Sequence, residues 1–268
     1  IRCYISPKIS DIILMGSDRI HLFDTPLLMS RNMGLSIDQR AAKRLLDILI
    51  SGIGIIITSP IMLIIAIAVK AYDRGPVFYF QDRLTLHGKE FKICKFRSMC
   101  VDSEKNGARL ASKHDSRITP VGNVLRNLHL DELPQLFNVF KGDMSLVGPR
   151  PERKTIMEEY EKELPEFYYR LKVKAGLTGY AQVYGKYNTT PYDKLKLDLF
   201  YIENYSFLLD IKLIFMTVKI FFQKEVSEGV DDRQINALKT SGAEKISDTA
   251  EVPELMKDPD SRGEKKYE

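Results

Sequence analysis

The stretch "LLDILISGIGIIITSPIMLIIAIAV", Leu45 to Val69, constrains this chain most. It carries one charge, Asp47, in 25 residues. A membrane-spanning helix needs roughly 20 apolar residues, and a soluble core helix is usually shorter and shows a polar face. The run therefore predicts a membrane segment. Ser59-Pro60 interrupts it. Proline lacks a backbone donor and clashes with the preceding turn, so the helix must kink or break there. The Ser59 hydroxyl is placed to bond a freed carbonyl, which makes such a break tolerable in lipid. Lys43 and Arg44 precede the run, and Lys70 and Arg74 follow it. Positive residues favour the cytoplasmic side. Basic flanks at both ends predict a hairpin that dips into the bilayer and returns to the same face, with a kinked single span as the alternative.

Charge is unevenly distributed. From Lys224 onward there are 8 basic and 12 acidic residues, whereas the preceding 223 residues hold 32 basic and 24 acidic. The basic body suits an anionic partner such as phosphate, anionic lipid or nucleic acid. The alternating charges after Lys224 predict a disordered tail over 224–268. Cys3, Cys94 and Cys100 show neither pairing nor metal spacing, which suits a reducing compartment. No secretory signal opens the chain. Residues 1–39, with a strand-like "DIILMG", read as the end of an upstream domain and a linker, residues 40–74 as the membrane segment, and 75–223 as one cytoplasmic domain.

Within that domain "GPVFYFQDRLTLHGKEFKICKFRSM" alternates around a Leu86-His87-Gly88 turn and predicts a hairpin. Lys95 and Arg97 fall at the end of its second strand. "TPVGNVLRNLHLDELPQLFNVFKG" reads as helices. Leu133, Leu136, Phe137 and Phe140 have the spacing of one buried face, and Gly142 supplies a stop. Asp131 and Glu132 fall in a first helical turn, with Pro134 where early helix positions tolerate it. Taken alone, such acidic residues merely offset the helix dipole. "KTIMEEYEKELPEFYYRLKV" predicts a further amphipathic helix and "AGLTGYAQVYGKYN" a glycine-punctuated loop. Residues 206–224 predict a helix with an apolar face and Lys212, Lys219 and Lys224, suited to a membrane interface or to packing on the core. The fold class expected is α+β, with a Ser-Pro broken membrane hairpin, amphipathic helices and a small antiparallel sheet.

"KRLLDILIS", "SPIMLI", "GPVFYFQDR", "KFRSM", "TPVGNVLR", "LDELPQLFNVFKGDMSLVGPRP" and "GLTGYAQVYG" stand in the order found in bacterial sugar transferases. The chain resembles the monotopic phosphoglycosyl transferases over about residues 40 to 223. The resemblance implies a re-entrant membrane helix broken at Ser59-Pro60. It also implies transfer of a phosphosugar from a UDP-sugar to undecaprenyl phosphate, with release of UMP. That is the first membrane step of exopolysaccharide, capsule, O-antigen or glycoconjugate assembly. Carried over by motif, Asp131 is the nucleophile of a covalent aspartyl-phosphosugar, which splits one hard phosphoryl transfer into two. Cations must spread the charge of the anionic donor. Mg²⁺ is the expected one, with Asp131 or Glu132 supplying protein oxygen. Glu132 is alternatively a base that orients the acceptor. Arg126, Lys95 and Arg97 are candidate phosphate contacts. Pro149 and Pro151 restrict the backbone around Arg150, and the Pro149-Arg150 pair is implied in nucleotide-sugar or phosphate binding. Asp210 is read as either a helix-start carboxylate or a group supporting the site or its metal.

Three positions depart from the family pattern. Thr85 stands where glycine is usual, Lys186 where arginine is common, and His129 where a small hydroxyl residue is common. Lys and Arg are not equivalent in bidentate binding, so sugar specificity stays open among glucose, galactose and N-acetylated sugars. The expected location is the cytoplasmic face of the bacterial inner membrane, in contact with its lipid. The oligomeric state is open, a homodimer included. A non-catalytic scaffold that recruits glycan-assembly enzymes is the competing reading. Nucleic acid is not an expected partner, because no recognition module accompanies the basic residues.

Overall fold

A computed structural model of the chain describes residues 7–15, 17–22, 25–30, 35–101, 115–185 and 189–221. The expected tail 224–268, Cys3 and Lys186 lie outside the described residues. The described residues combine helices with three two-stranded sheets, an α+β arrangement.

Residues 11–15 of the "DIILMG" segment are helical rather than extended. They belong to α1, Ile9–Met15. Ile9 and Ile12, three residues apart, share one helical face and enter the main core. The backbone N–H of Lys8 donates to Asp11 at 2.8 Å. The hairpin of β1, Ser17–Leu22, and β2, Thr25–Ser30, follows.

The long helix α2 runs from Ile37 to Asp73. A reciprocal capping box between Ser36 and Gln39 starts it, and Arg74 in the left-handed region at φ 56° ends it. Pro60 lies inside α2. The Ser59 hydroxyl donates to the Ile56 carbonyl at 2.8 Å. That carbonyl is four residues before Pro60 and has lost its usual N–H donor. Among the described residues α2 is the one helix long and apolar enough to cross a bilayer. Much of it has no protein cover. Ile56 is 74% exposed and Ile57 67%, and Ile53, Leu63, Ile64 and Ile67 are exposed as well.

Both ends of α2 nevertheless hold the body of the protein. Lys43, Asp47, Ser51, Met62, Ile65 and Val69 are its buried residues. Two of the supposed flanking charges are committed internally. Lys43 is buried against Asp210 at 2.6 Å. Arg44 donates to the Val139 and Phe140 carbonyls at 2.8 and 2.7 Å. The charge pattern therefore overstated the free positive charge before the apolar run. Asp47, the single charge within the run, accepts from Ser145 Oγ at 3.0 Å and from the Leu146 N–H at 2.9 Å.

The expected hairpin forms from β3, Phe78–Leu84, and β4, Glu90–Phe96, in antiparallel register. His87 and Gly88 turn it at φ 57° and 75°. Leu84, Phe91 and Ile93 enter the main core. Phe96 joins Met62, Ile65, Val69 and Leu125 in a second cluster beside α2. Leu125 belongs to α3, Pro120–Asn127.

The sheet is not wholly antiparallel. β5, Ser145–Val147, pairs in parallel with β6, Gly176–Thr178. A Cβ at Gly176 would stand 2.1 Å from the Gly148 nitrogen, so only glycine lets the two backbones meet here. The predicted loop "AGLTGYAQVYG" thus supplies β6 and a short helix α6, Tyr180–Tyr184. The predicted single helix over residues 154–173 also divides. α5, Lys154–Glu163, stops before Leu164, whose φ and ψ are −139° and 80°. Pro165 disfavours helical backbone at the residue before it, and residues 165–172 continue as tighter 3₁₀ turns. α7, Pro191–Glu203, buries Leu195, Leu199 and Ile202. α8, Phe207–Phe221, buries Asp210 and Leu213 and exposes Leu208 and Phe215, the two-faced helix expected there.

Candidate active site

The two adjacent carboxylates do not open a continuous helix. Leu130–Glu132 form one 3₁₀ turn, and α4, Gln135–Lys141, begins after Pro134. His129 sets the break, with φ 52° in the left-handed region. Histidine is among the residues enriched at that conformation, which accounts for a departure from the family pattern without any catalytic role. The buried face of α4 is Gln135, Leu136, Asn138 and Val139. Phe137 and Phe140 are instead about half exposed, at 47% and 48%. Asn138 replaces them inside because both ends of its amide are used. Its Oδ1 accepts from the Cys94 N–H at 2.9 Å and its Nδ2 donates to the Lys92 carbonyl at 2.8 Å. These bonds fix the carboxylate turn against β4.

That placement brings three sequence-predicted residues together. Lys95 Nζ on β4 donates to Glu132 Oε1 at 2.7 Å, and Arg150 Nη2 donates to the same oxygen at 3.1 Å. Burial alone would raise the Glu132 pKa, but Arg150 and Lys95 overcome it and hold the carboxyl well below its usual range. Asp131 behaves oppositely. Burial raises its pKa, partly countered by Lys95 and Arg126, while neighbouring Glu132 adds to the rise. Among the described residues no hydrogen bond reaches Asp131. Two adjacent carboxyls therefore have different states, one neutralised by cations and one left open.

Arg150 is held from behind as well as by its prolines. Its carbonyl accepts from Arg170 Nη2 at 3.0 Å. The Pro149 carbonyl accepts from the Gly176 N–H at 2.9 Å. Arg170 is 2% exposed and pairs with Asp198 at 2.8 Å and with Glu152 at 3.5 Å. Lys194 also pairs with Glu152. Sequence reading missed this layer of Glu152, Arg170, Lys194 and Asp198. Its signal was present: Thr190-Pro191 is a cap followed by proline at the first helical position, and Leu195, Leu199 and Ile202 mark a buried face on which Lys194 and Asp198 lie.

Other predicted residues lie elsewhere. Arg97 is buried and bridged to Asp73 at the end of α2. Ser59 and Pro60 stand at the middle of α2. Asp210 is fully buried between Lys43 and the Tyr201 hydroxyl, which donates to Oδ1 at 2.7 Å. Burial and then Asp210 push the Tyr201 pKa well up, so the phenol stays a donor. Among the described residues no group of three or more His, Cys, Asp or Glu is arranged to hold a metal. Asp131, with no hydrogen bond, and the Oε2 of Glu132 are the carboxylate oxygens left for one.

A family model described as bacterial sugar transferase matches residues 38–224. The chain belongs to that family. It is 45% identical over 180 residues, 66% of this chain and 43% of the relative, to an Aeromonas hydrophila UDP-N-acetylgalactosamine-undecaprenyl-phosphate N-acetylgalactosaminephosphotransferase. It is 43% identical over 208 residues, 76% of this chain and 43% of the relative, to a Klebsiella pneumoniae UDP-glucose:undecaprenyl-phosphate glucose-1-phosphate transferase. A shorter Bacillus subtilis protein, named a putative undecaprenyl-phosphate N-acetylgalactosaminyl 1-phosphate transferase, is 47% identical over 131 residues, 49% of this chain and 73% of its own length. The chain spans less than half the length of the first two relatives.

Proposed function

We propose that this bacterial sugar transferase moves a phosphosugar from a UDP-sugar to undecaprenyl phosphate, yielding undecaprenyl-diphosphate-sugar and UMP. The observation that carries this reading is the asymmetry of the two adjacent carboxylates. Glu132 is tied to Lys95 and Arg150, whereas the Asp131 carboxylate accepts no hydrogen bond from the described residues. In the proposed first step an Asp131 oxygen attacks the sugar-bearing phosphorus, the diphosphate P–O bond breaks, and UMP leaves with that electron pair. In the second step a phosphate oxygen of the polyprenyl carrier attacks the same phosphorus and the Asp131 carboxylate is regenerated. Splitting the transfer this way leaves no step in which three anionic groups react at once.

Lys95, Arg126 and Arg150 make the local potential more positive, which lowers the cost of bringing in the donor's anionic diphosphate. The fixed backbone of Pro149-Arg150 keeps one of these cations in place. Asp131 and Glu132 are the residues that would hold Mg²⁺, an ion that binds through one or two carboxylates plus substrate phosphates. When bound it would supply further neutralisation of the diphosphate charge. Asp210 acts through the fold, since Lys43 and Tyr201 occupy both its oxygens.

The exposed apolar length of α2 supports membrane association, and we place the catalytic body on the cytoplasmic face, where nucleotide sugars are found. A re-entrant course for α2 is supported by two facts. Pro60 interrupts its hydrogen-bond ladder, and buried residues from both ends of the helix, Lys43 and Val69, pack on the same body. The experiment that tests the function is incubation of the Asp131→Asn variant and the parent chain with radiolabelled UDP-sugars and undecaprenyl phosphate. The parent should acquire label, release UMP and form lipid-linked product, and the variant should do none of these. Normal turnover by Asp131→Asn would remove the covalent role. Rescue of deficient cells by that variant would favour the scaffold reading.

A further inference from the structure

Beside the carboxylate turn lies a small recess. Lys95 and Arg150, the two cations on Glu132, form part of its wall. Arg83 and Gln135 form another part, with Gly176 and Leu177. Gln135 is 3% exposed, and its Nε2 has no hydrogen-bond partner. Buried polar groups in folded proteins are nearly always satisfied. Leaving a donor unmade carries the full desolvation penalty. Asn138, one turn along the same helix, provides the contrast, because both ends of its amide bond the β4 backbone. Asn138 is thus accounted for by the fold, and Gln135 is not.

Arg83 repeats the pattern. Its Nη1 donates to the Pro151 carbonyl at 3.0 Å and its Nη2 to Gln81 Oε1 at 2.5 Å. Its Nε is buried without a partner. The residues lining the recess therefore include two that carry an unspent N–H donor and three with cationic side chains. Glu132 already accepts from two of those cations, and Glu152 stands 3.9 Å from the Arg83 guanidinium. Such a wall matches a hydrogen-bond acceptor that is negative or strongly polar, and it repels a cation.

We propose that Gln135 and Arg83 form a subsite that receives an acceptor oxygen of the sugar-diphosphate donor. This assignment rests on the transferase reading and adds a recognition element to it. The oxygen belongs either to the sugar-bearing phosphate, which UMP lacks, or to the sugar, and both sources share the chemistry that an amide N–H recognises. Gln135 is therefore a substrate-contacting residue. Arg83, tied to the Pro151 carbonyl and the Gln81 side chain, both lines the recess and stiffens the segment that presents Arg150.

Binding measured on the full chain in lipid nanodiscs tests this. The background is Asp131→Asn, which prevents turnover, and the probes are UDP-glucose, UDP-N-acetylgalactosamine, UDP and UMP. Adding Gln135→Leu is expected to weaken both UDP-sugars by between about tenfold and about a hundredfold, the range for a hydrogen bond to a charged or strongly polar acceptor. Equal weakening of UDP places the oxygen on the diphosphate, and unchanged UDP places it on the sugar. UMP binding should stay as in the background. Gln135→Glu, of the same size but negative, should weaken the same probes further, and it serves if the leucine variant does not fold. Unchanged affinity for every probe overturns the subsite, as does equal loss of UMP. A background protein that binds none of the four overturns the transferase reading and the subsite with it.

Discussion

Asp210 makes a quantitative prediction about how the apolar helix is attached. Its carboxylate is 0% exposed and bonds Lys43 at 2.6 Å and the Tyr201 hydroxyl at 2.7 Å. Asp210→Asn keeps the shape and removes the charge, so Lys43 becomes a buried cation that has lost its direct partner. Breaking a buried pair in this way typically costs about 3–5 kcal/mol. Asp47 is close enough to Lys43 to interact with it electrostatically, which favours the lower end of that range. For a body of this size about 3 kcal/mol corresponds to a fall in Tm of roughly 6–12 °C. The assay is thermal unfolding in nanodiscs at fixed protein concentration. Lys43→Met combined with Asp210→Leu removes both charges and should recover most of the loss, because apolar replacement of a buried pair is often neutral or better. An Asp210→Asn protein melting within about 1 °C of the parent would refute the reasoning. So would a variant of unchanged Tm whose Mg²⁺ requirement had risen, which would return Asp210 to a metal-linked role.

Three further outcomes are expected. If Asp131 is the nucleophile proposed above, the acid limb of donor-dependent labelling, measured without acceptor, should lie above the ordinary aspartate value of 3.8, because burial raises the Asp131 pKa and a carboxyl attacks only when ionised. Lys95 lowers that pKa, so Lys95→Met should move the limb to higher pH, and a limb that stays put or moves down would contradict the assignment. Thr85→Gly should lower stability by about 1–3 kcal/mol in chemical denaturation, since Thr85 Oγ1 bonds the Asp143 carbonyl at 3.1 Å and the buried Ala175 N–H at 3.2 Å. With Cys3, Cys94 and Cys100 replaced by serine, cysteines placed at exposed Ile37 and Arg74 should both react with an impermeant maleimide from the cytoplasmic side, and reaction from opposite sides would establish a single span.

How much of this was legible in the sequence depended on the range of the interactions. The β3–β4 hairpin was readable because alternation and the His87-Gly88 turn are local. The carboxylate turn was not, because Leu133, Leu136, Phe137 and Phe140 keep helical spacing across Pro134 and conceal the reversal at His129. What overrode that spacing was Asn138, whose amide is drawn inside by the β4 backbone about 45 residues away in sequence. Lys43 showed the same limitation. Next to an apolar run it reads as a flank for lipid headgroups, and nothing nearby reveals a partner 167 residues later. β5 and β6 are three residues each, too short for any periodic signal. The site itself was more legible than its supports, since Glu132, Lys95 and Arg150 were singled out and converge, whereas Arg170 and Asp198 behind them were not.

Asp47 limits how this protein can be cut. Its carboxylate is the acceptor for the Ser145 hydroxyl and for the backbone N–H of Leu146, two residues before the turn that carries Arg150. A water-soluble version that begins after Asp73 would discard this acceptor and Lys43 together, leaving a strand donor and the Asp210 carboxylate stranded in the interior. The greasy segment is an internal strut as much as an anchor, so solubility has to come from recoating its outer surface rather than from deleting it.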